Sequence, residues 1–381
     1  METPYYIVYE ERLLRNIATV TSVARDAGVE IIMAFKANAL WKTFPLFRRE
    51  VIGFTASSLN EMRLGNDELG VLAHSYCPAY TPLTIRQYLE GSSHITFNSV
   101  SQWQRFRADV EAFNRCGKHR VSPGLRVNPQ CSVIETDIYN PALPGSRFGV
   151  TAGQLAEVAP GELDGIEGFH FHQLCESSSY DLEKVLTAFE EQFGRWLPRL
   201  KWVNMGGGHL MTREGYDRDH LVRLLRAFRE RHPHLRVILE PGSAWTWRTG
   251  DLICSVVDVV ENQGVKTAII DGSFACHMPD CLEMPYRPAI TEALPDGDER
   301  GTAYRMGGNS CLSGDFVGDW RFGHPLKIGD RLTFEDMNHY TTVKTNMFNG
   351  ISHPAIILQR TDGSTELLRR FTYDDYRNRM D

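Results

Sequence analysis

The stretch 168-GFHFHQLCESSSYDLEKVLTAFEEQFGRWLPRLKWVNMGGG-208 opens on a short apolar run, 168–173. It continues into 182–197, where apolar positions recur every three or four residues, and returns to an apolar run at 202–207. That succession is one strand–helix–strand unit. The same texture recurs at runs 31–36, 52–57, 71–76, 94–98, 124–128 and 236–240, with helical segments such as 220–231 between runs. Eight strands alternating with helices over roughly 240 residues is the length and rhythm of a (β/α)8 barrel. A doubly wound sheet is the rival, but no GxGxxG opens a helix after an early strand.

Past Gly242 the texture changes. Runs 252–260, 266–271, 331–334 and 356–360 read as strands, punctuated by Asn-Gly, Asp-Gly and Pro-rich turns, with little helical period. The expected architecture is α/β: a TIM-like (β/α)8 barrel over 1–246, then a mostly antiparallel β domain over 247–381. The first few residues of the chain are candidates for packing with that second domain.

Composition narrows the function. The chain has 381 residues, 42% hydrophobic and 23% charged, which is enough apolar surface for a large core and excludes a disordered or fibrous protein. Its 41 Lys and Arg against 48 Asp and Glu give −7, so the basic face that nucleic-acid binding needs is not expected. Neither a secretory signal nor an apolar run of the ~20 residues that span a bilayer is read in the chain. None of the eight cysteines falls in a CxxC pair, which suits free thiols in a reducing cytoplasm. Cys175 and Cys311 are the two expected to escape inert burial.

Unusual residues stand at the ends of the barrel runs, where such barrels carry their chemistry. Lys36 ends the run IIMAFKAN. An ammonium flanked by Ala34, Phe35 and Ala37 loses hydration, which lowers its pKa and frees the amine for a Schiff base; otherwise it snorkels to solvent. His170 and His172 share one strand face, as half a metal site, as core histidines, or as a ring stacked on a flat cofactor. No carboxylate or third histidine at ligand spacing completes a metal set. Gly206, Gly207 and Gly208 leave backbone N–H groups free for a phosphate, or simply make a tight loop. Glu240 can hold a heterocyclic nitrogen protonated or pair with an arginine. Together, an amine, a stacking ring, a phosphate loop and an acid for a ring nitrogen are the four needs of pyridoxal 5′-phosphate.

In order along the chain, AFKAN (34–38), GFHFHQLCE (168–176), NMGGGH (204–209), EPG (240–242), GNSCLSGD (308–315) and MNHYTTVKTNMFNG (337–350) carry a family resemblance. They resemble the alanine-racemase-fold (fold type III) pyridoxal phosphate decarboxylases of amino acids. Among these, they resemble the carboxynorspermidine (carboxyspermidine) decarboxylases. The resemblance implies a carboxy-lyase of polyamine biosynthesis that converts carboxynorspermidine and carboxyspermidine to norspermidine and spermidine. It places the cofactor on Lys36, His172 against its ring, Glu240 at its ring nitrogen, and Gly207, Gly208 and Tyr340 at its phosphate. Cys311 would return the proton to the substrate carbon. Glu240, Asp280 and Asp315 are the acids expected at the substrate, Asp280 for a cationic nitrogen of the polyamine. The second domain's cysteine motif is expected to reach the partner subunit's site in a cytoplasmic homodimer, with no metal, nucleic acid or membrane involved.

Glu240 favours decarboxylation, since the racemases of this fold place an arginine at that nitrogen and have a weaker electron sink. Two departures bear on substrate. Leu312 follows the cysteine where ornithine decarboxylases carry an aspartate. Ser243 follows EPG where ornithine and diaminopimelate decarboxylases usually carry an arginine. Both count against a decarboxylase of a smaller diamino acid such as diaminopimelate or ornithine. A non-catalytic regulator of the same fold has no chemical need for Lys36 and Cys311. Arg126 and Arg147 also lie in family-like segments, each equally readable as half of a salt bridge.

Overall fold

A computed structural model describes residues 1–48, 50–134 and 136–381. Contacts group the chain into two units: Asn16–Trp245, and Met1–Arg15 with Thr246–Asp381. The first unit is a barrel, and each of the eight expected runs supplies a strand. These are Glu30–Ile31 with Met33–Ala34, Phe54–Ala56, Ala73–Tyr76, Ser92–Phe97, Ser122–Arg126, Gly168–His170, Trp202–Asn204 and Arg236–Leu239. All the pairings are parallel and follow chain order. The first strand is broken at Ile32. Ile31 pairs with Leu239 of the last strand and Ala34 with Thr55 of the second, so the two halves close the ring. The ladders stop just before Lys36, His172, Gly207 and Glu240, which leaves those residues at the C-terminal edge.

The quoted unit shows why the sequence folds this way. Ser178 caps the helix Ser179–Phe193, its side chain accepting from Asp181 N–H while the Asp181 carboxylate answers Ser178. Leu182, Val185, Leu186, Phe189 and Phe193 fall on one stripe and are buried. Phe189 packs on Phe171, ring centroids 4.6 Å apart, and Phe193 on Phe169 at 6.1 Å. The helix ends earlier than the expected 197 and tightens into a 3-10 turn over Gly194–Arg199. Pro198 has no N–H to offer the residue 194 carbonyl, so the α-helical ladder cannot pass it.

Inside the barrel, Trp202 fills the space of two side chains that are missing. A Cβ on Gly124 would lie 2.3 Å from its ring and one on Gly168 2.0 Å. Its indole N–H donates to Ser122 Oγ at 2.9 Å, and its edge meets His94, which stacks on His74 at 3.9 Å. Next to Gly168, Glu167 collects Arg120, Lys201 (2.7 Å) and Ser122 (2.6 Å).

The second unit is an eight-stranded sheet among the described residues. Its order is Phe316–Phe322, Thr302–Gly307, Val265–Ile270, Gly250–Asn262, Tyr5–Tyr9, Ala355–Gln359 and Thr365–Arg369, with Arg331–Phe334 also on Gly250–Asn262. It is mostly antiparallel. The parallel pairs are Tyr5–Tyr9 with Ala355–Gln359 and Val265–Ile270 with Thr302–Gly307. Leu252, Cys254, Met306, Trp320, Phe322 and Phe334 form its core. Four of its strands were not read from the sequence: 5–9, 302–307, 316–322 and 365–369. Gly318 and Asp319 interrupt one, and Thr365–Arg369 is a largely exposed edge with charge at Glu366 and Arg369.

All eight cysteines are free. Cys175 is half-buried and Cys311 exposed, as expected, but Cys116 is exposed and Cys131 half-buried as well. Cys116 ends the helix Val100–Cys116, outside its buried stripe of Trp103, Phe106, Val110 and Phe113. Among the described residues no helix is long and apolar enough to cross a membrane.

Candidate active site

Lys36 lies in the turn after Met33–Ala34, fixed by Ala37 N–H donating to Ala34 C=O and by Phe35 N–H donating to Thr55 C=O. Phe35 is fully buried against Phe54 and Phe44, ring centroids 4.5 and 5.0 Å away, which pins the backbone under the lysine. Burial lowers the Lys36 pKa; the Glu240 carboxylate opposes this and the Arg126 guanidinium reinforces it. Arg126 lies between the Tyr76 and Phe148 rings, 4.7 and 4.4 Å from their centroids, and donates to His172 C=O at 3.4 Å. No carboxylate pairs with it among the described residues, so its cation is balanced by aromatic faces instead of a salt bridge.

Glu240 directly follows Arg236–Leu239 and is 5% exposed. Thr55 Oγ1 (2.6 Å) and Asn204 Nδ2 (2.9 Å) donate to one carboxylate oxygen, and His170 Nε2 faces the other at 3.1 Å. Burial pushes this carboxyl up, but the facing histidines outweigh it and hold it well below the usual carboxylate range. Glu240 therefore stays ionised, with one oxygen still able to accept.

His172 lies between the acid and the amine. Gly207 N–H donates to its Nδ1 at 2.9 Å, and its Nε2 is 3.3 Å from Lys36 Nζ. Nδ1 also lies 3.6 Å from Glu240, too far to compete with the Gly207 bond. Burial, with Lys36 alongside, pushes His172 down to about 3. The neutral ring thus carries its proton on Nε2, facing the Lys36 amine, whose lowered pKa favours the unprotonated form that attacks an aldehyde. His170, His172 and Glu240 have ligand atoms within 4.8 Å of one another. The expectation that no carboxylate completes a metal set is corrected: Glu240 reaches the histidines through the fold, not through sequence spacing. The Gly207 N–H already fills the His172 Nδ1 lone pair, so the cluster is built as two hydrogen-bonded sets side by side, Glu240 with His170 and Lys36 with His172.

Gly207 cannot carry a side chain here, since a Cβ would lie 2.6 Å from Glu240 C=O. Gly208 has φ +87°, a left-handed backbone that suits glycine.

The other expected residues belong to the sheet unit. Cys311 is exposed on the loop 308–315. Asp315 is 3% exposed, and its carboxylate accepts from Ser273 Oγ, Ala275 N–H, Ser310 N–H and Ser310 Oγ. Those four donors use it as the anchor of its own loop, where the sequence reading had it at the substrate. Asp280 is half-buried and holds Lys344 Nζ at 2.5 Å, which Glu283 shares at 2.5 Å. Tyr340 is half-buried with φ 53°, at the start of the short helix Thr341–Lys344. Thr55, Asn204 and His170 were not assigned their roles from sequence. The available signal was a polar residue at or near the end of an apolar strand, as in FTA and WVN.

Comparison with known proteins follows this geometry. The family model described as "Pyridoxal-dependent decarboxylase, C-terminal sheet domain" matches residues 8–338. The carboxyaminopropylagmatine decarboxylase of Synechocystis is 47% identical over 381 residues, covering 100% of this chain and 96% of that one. The carboxynorspermidine/carboxyspermidine decarboxylase of Campylobacter jejuni is 37% identical over 386 residues, covering 99% and 98%. A crystal structure of carboxynorspermidine decarboxylase from Campylobacter jejuni complexed with norspermidine superposes with a TM-score of 0.89 at 36% identity, covering 100% of both chains. With a buried amine, an ionised acid and a glycine turn at its barrel edge, the chain belongs to the pyridoxal-dependent decarboxylases.

Proposed function

We propose that this carboxy-lyase decarboxylates carboxynorspermidine and carboxyspermidine to norspermidine and spermidine, holding pyridoxal 5′-phosphate through Lys36. The observation that carries the reading is the cluster at the barrel edge, an ionised Glu240 held by His170 beside a Lys36 amine of lowered pKa held against His172, whose other ring nitrogen is fixed by Gly207. The residues fit the cofactor. Glu240 has an acceptor to spare, and the Lys36 amine stands beside the His172 ring, 3.3 Å from its Nε2. When bound, pyridoxal phosphate supplies an aldehyde that condenses with amines and a ring that withdraws the electron pair left by departing CO2.

This chain's residues have separate tasks in the reading. Lys36 gives up its place to the substrate amine, and its lowered pKa eases the exchange. Glu240 holds a proton on the ring nitrogen and so deepens the electron sink. His172 lies against the ring, its tautomer fixed by Gly207. Gly207, Gly208 and Tyr340 receive the phosphate, and Cys311 returns a proton to the substrate carbon. Asp280 meets a cationic nitrogen of the polyamine, with Lys344 as the internal cation that must yield or share it. The barrel unit, Asn16–Trp245, binds the cofactor, and the sheet unit brings Cys311 to the partner subunit's site in a cytoplasmic homodimer.

A second reading has a specific observation behind it. The Synechocystis relative, at 47% identity, is named for carboxyaminopropylagmatine, a guanidinium-bearing relative of the same carboxylated amines. CO2 release measured on carboxynorspermidine, carboxyspermidine, carboxyaminopropylagmatine, diaminopimelate and ornithine separates the readings. We expect a carboxylated polyamine to exceed both small diamino acids by at least about 100-fold in kcat/KM, roughly 2.7 kcal/mol. Highest turnover of carboxyaminopropylagmatine installs the second reading, and preference for either diamino acid overturns both. Lys36→Ala should abolish turnover and the visible absorbance of lysine-linked pyridoxal; retention of that absorbance removes Lys36 from its role.

A further inference from the structure

The loop that carries Cys311 is tied down residue by residue. Gly308 N–H donates to Asp315 C=O (2.7 Å), Asn309 N–H to Gly272 C=O (2.8 Å) and Ser310 N–H to the Asp315 carboxylate (3.1 Å). Leu312 N–H donates to Ser310 Oγ (3.3 Å) and Asp315 N–H to Leu312 C=O (2.9 Å). The Cys311 N–H goes elsewhere: it donates to the amide oxygen of Asn349 at 2.8 Å, 38 residues along the chain. Asn349 has φ 57° and ψ 12°, a left-handed backbone inside the turn Phe348–Gly350.

Two demands meet at position 349. The left-handed backbone suits glycine, and next to it asparagine or aspartate. The Cys311 N–H needs a short side-chain acceptor. Glycine meets the first demand and fails the second, alanine meets neither, and aspartate meets both. The segment around Asn349 is itself secured: Asn346 N–H donates to Cys276 C=O (2.9 Å), Asn346 Nδ2 to Ala275 C=O (2.8 Å), and Phe348 N–H to Asn346 Oδ1 (3.0 Å). Asp315 reaches the same stretch through Ala275 N–H, so Cys311 is clamped from two sides.

We propose that Asn349 is a positioning residue for Cys311, its amide oxygen fixing the cysteine backbone and with it the point where the thiol gives up its proton. The inference rests on the reading of Cys311 as proton donor. When the C–CO2 bond breaks, the electron pair stays behind and CO2 leaves. A thiol proton placed on the substrate carbon makes a C–H bond and yields the amine, and the thiolate recovers a proton from water. A displaced thiol lets the proton go instead to the cofactor carbon bonded to nitrogen. Water then supplies the oxygen of an aldehyde product, the nitrogen stays on the cofactor as pyridoxamine phosphate, and visible absorbance is lost.

The test uses full-length holoenzymes carrying Asn349→Gly, Asn349→Asp, Cys311→Ala or Cys311→Ala with Asn349→Gly, each turning over carboxynorspermidine. The readouts are the aldehyde-to-amine ratio, the decay of visible absorbance during turnover, and KM. Asn349→Gly should raise the aldehyde share about tenfold with KM changed less than about twofold. Asn349→Asp should stay near the parent, and the glycine change should add nothing once Cys311 is gone. A parental product ratio in Asn349→Gly, with a raised ratio in Cys311→Ala, overturns the role of Asn349 alone. An unchanged ratio in Cys311→Ala overturns the donor reading and the inference with it. Should Asn349→Gly fail to fold by circular dichroism, Asn349→His, which also tolerates the left-handed backbone but brings no amide oxygen to the Cys311 N–H, takes its place with the same expected outcomes.

Discussion

At the level of single residues, the Glu240 carboxylate is the decisive group because three donors hold it ionised inside the barrel edge: Thr55, Asn204 and His170. Glu240→Gln keeps the volume and removes the charge, so under the proposed function the ring nitrogen would lose the acid that keeps it protonated. We expect kcat to fall by about 100-fold or more, as for removal of a preorganised electrostatic partner, with KM changed little and visible absorbance retained. Steady-state kinetics beside an absorbance spectrum would settle this, and a kcat within about threefold of the parent would free Glu240 of its role. Lys36, His172 and Glu240 were legible because an odd residue follows an apolar run. Thr55 and Asn204 were not, since a single threonine or asparagine in a strand passes for ordinary tolerance. Asp315 was picked out correctly as an unusual acid, yet its donors are Ser273, Ala275 and Ser310, two of which lie some forty residues away and leave no trace in the local sequence.

At the level of elements, barrel strands were legible and sheet strands only in part. Buried parallel strands read as unbroken apolar runs, whereas an edge such as Thr365–Arg369 is mostly exposed and resembles a loop. The starts of the barrel strands carry their own test. Glu167 is held down to about 2: burial opposes this, but Arg120, Lys201 and Ser122 outweigh it. Its contribution is complete above the ordinary 4.5 and is lost as pH falls from there toward 2. His94 is pushed down to about 4 by burial and by Arg236, so its contribution is complete above 6.5 and lost as pH falls toward 4. The urea midpoint should therefore drop first between pH 6.5 and 4. Glu167→Gln should cost about 1–3 kcal/mol at pH 7 by stranding its partners. It should also flatten only the acid limb below pH 4.5. An acid limb identical to the parent's would mean that the Glu167 cluster contributes nothing measurable.

At the level of the whole molecule, the reading of a shared site makes a complementation experiment decisive. Lys36→Ala subunits, which turn nothing over, and Cys311→Ala subunits, which divert turnover from amine to aldehyde, should when mixed regain up to about a quarter of parental amine formation, because random exchange yields hybrids with one intact site of two. Labelled-subunit exchange confirmed by mass, with no recovered amine formation, would place both residues in one chain's site. The first few residues group with Thr246–Asp381, as the sequence reading allowed, although the domain boundary drawn from composition had put 1–246 in the barrel. That grouping has a consequence for biosynthesis. Tyr5–Tyr9 is translated before the barrel, yet its neighbours Gly250–Asn262 and Ala355–Gln359 are translated hundreds of residues later. The barrel, whose contacts are nearer in sequence, is free to fold while synthesis continues. Tyr5–Tyr9 stays without a sheet neighbour until Gly250–Asn262 has been made, an exposed edge through the synthesis of the whole barrel.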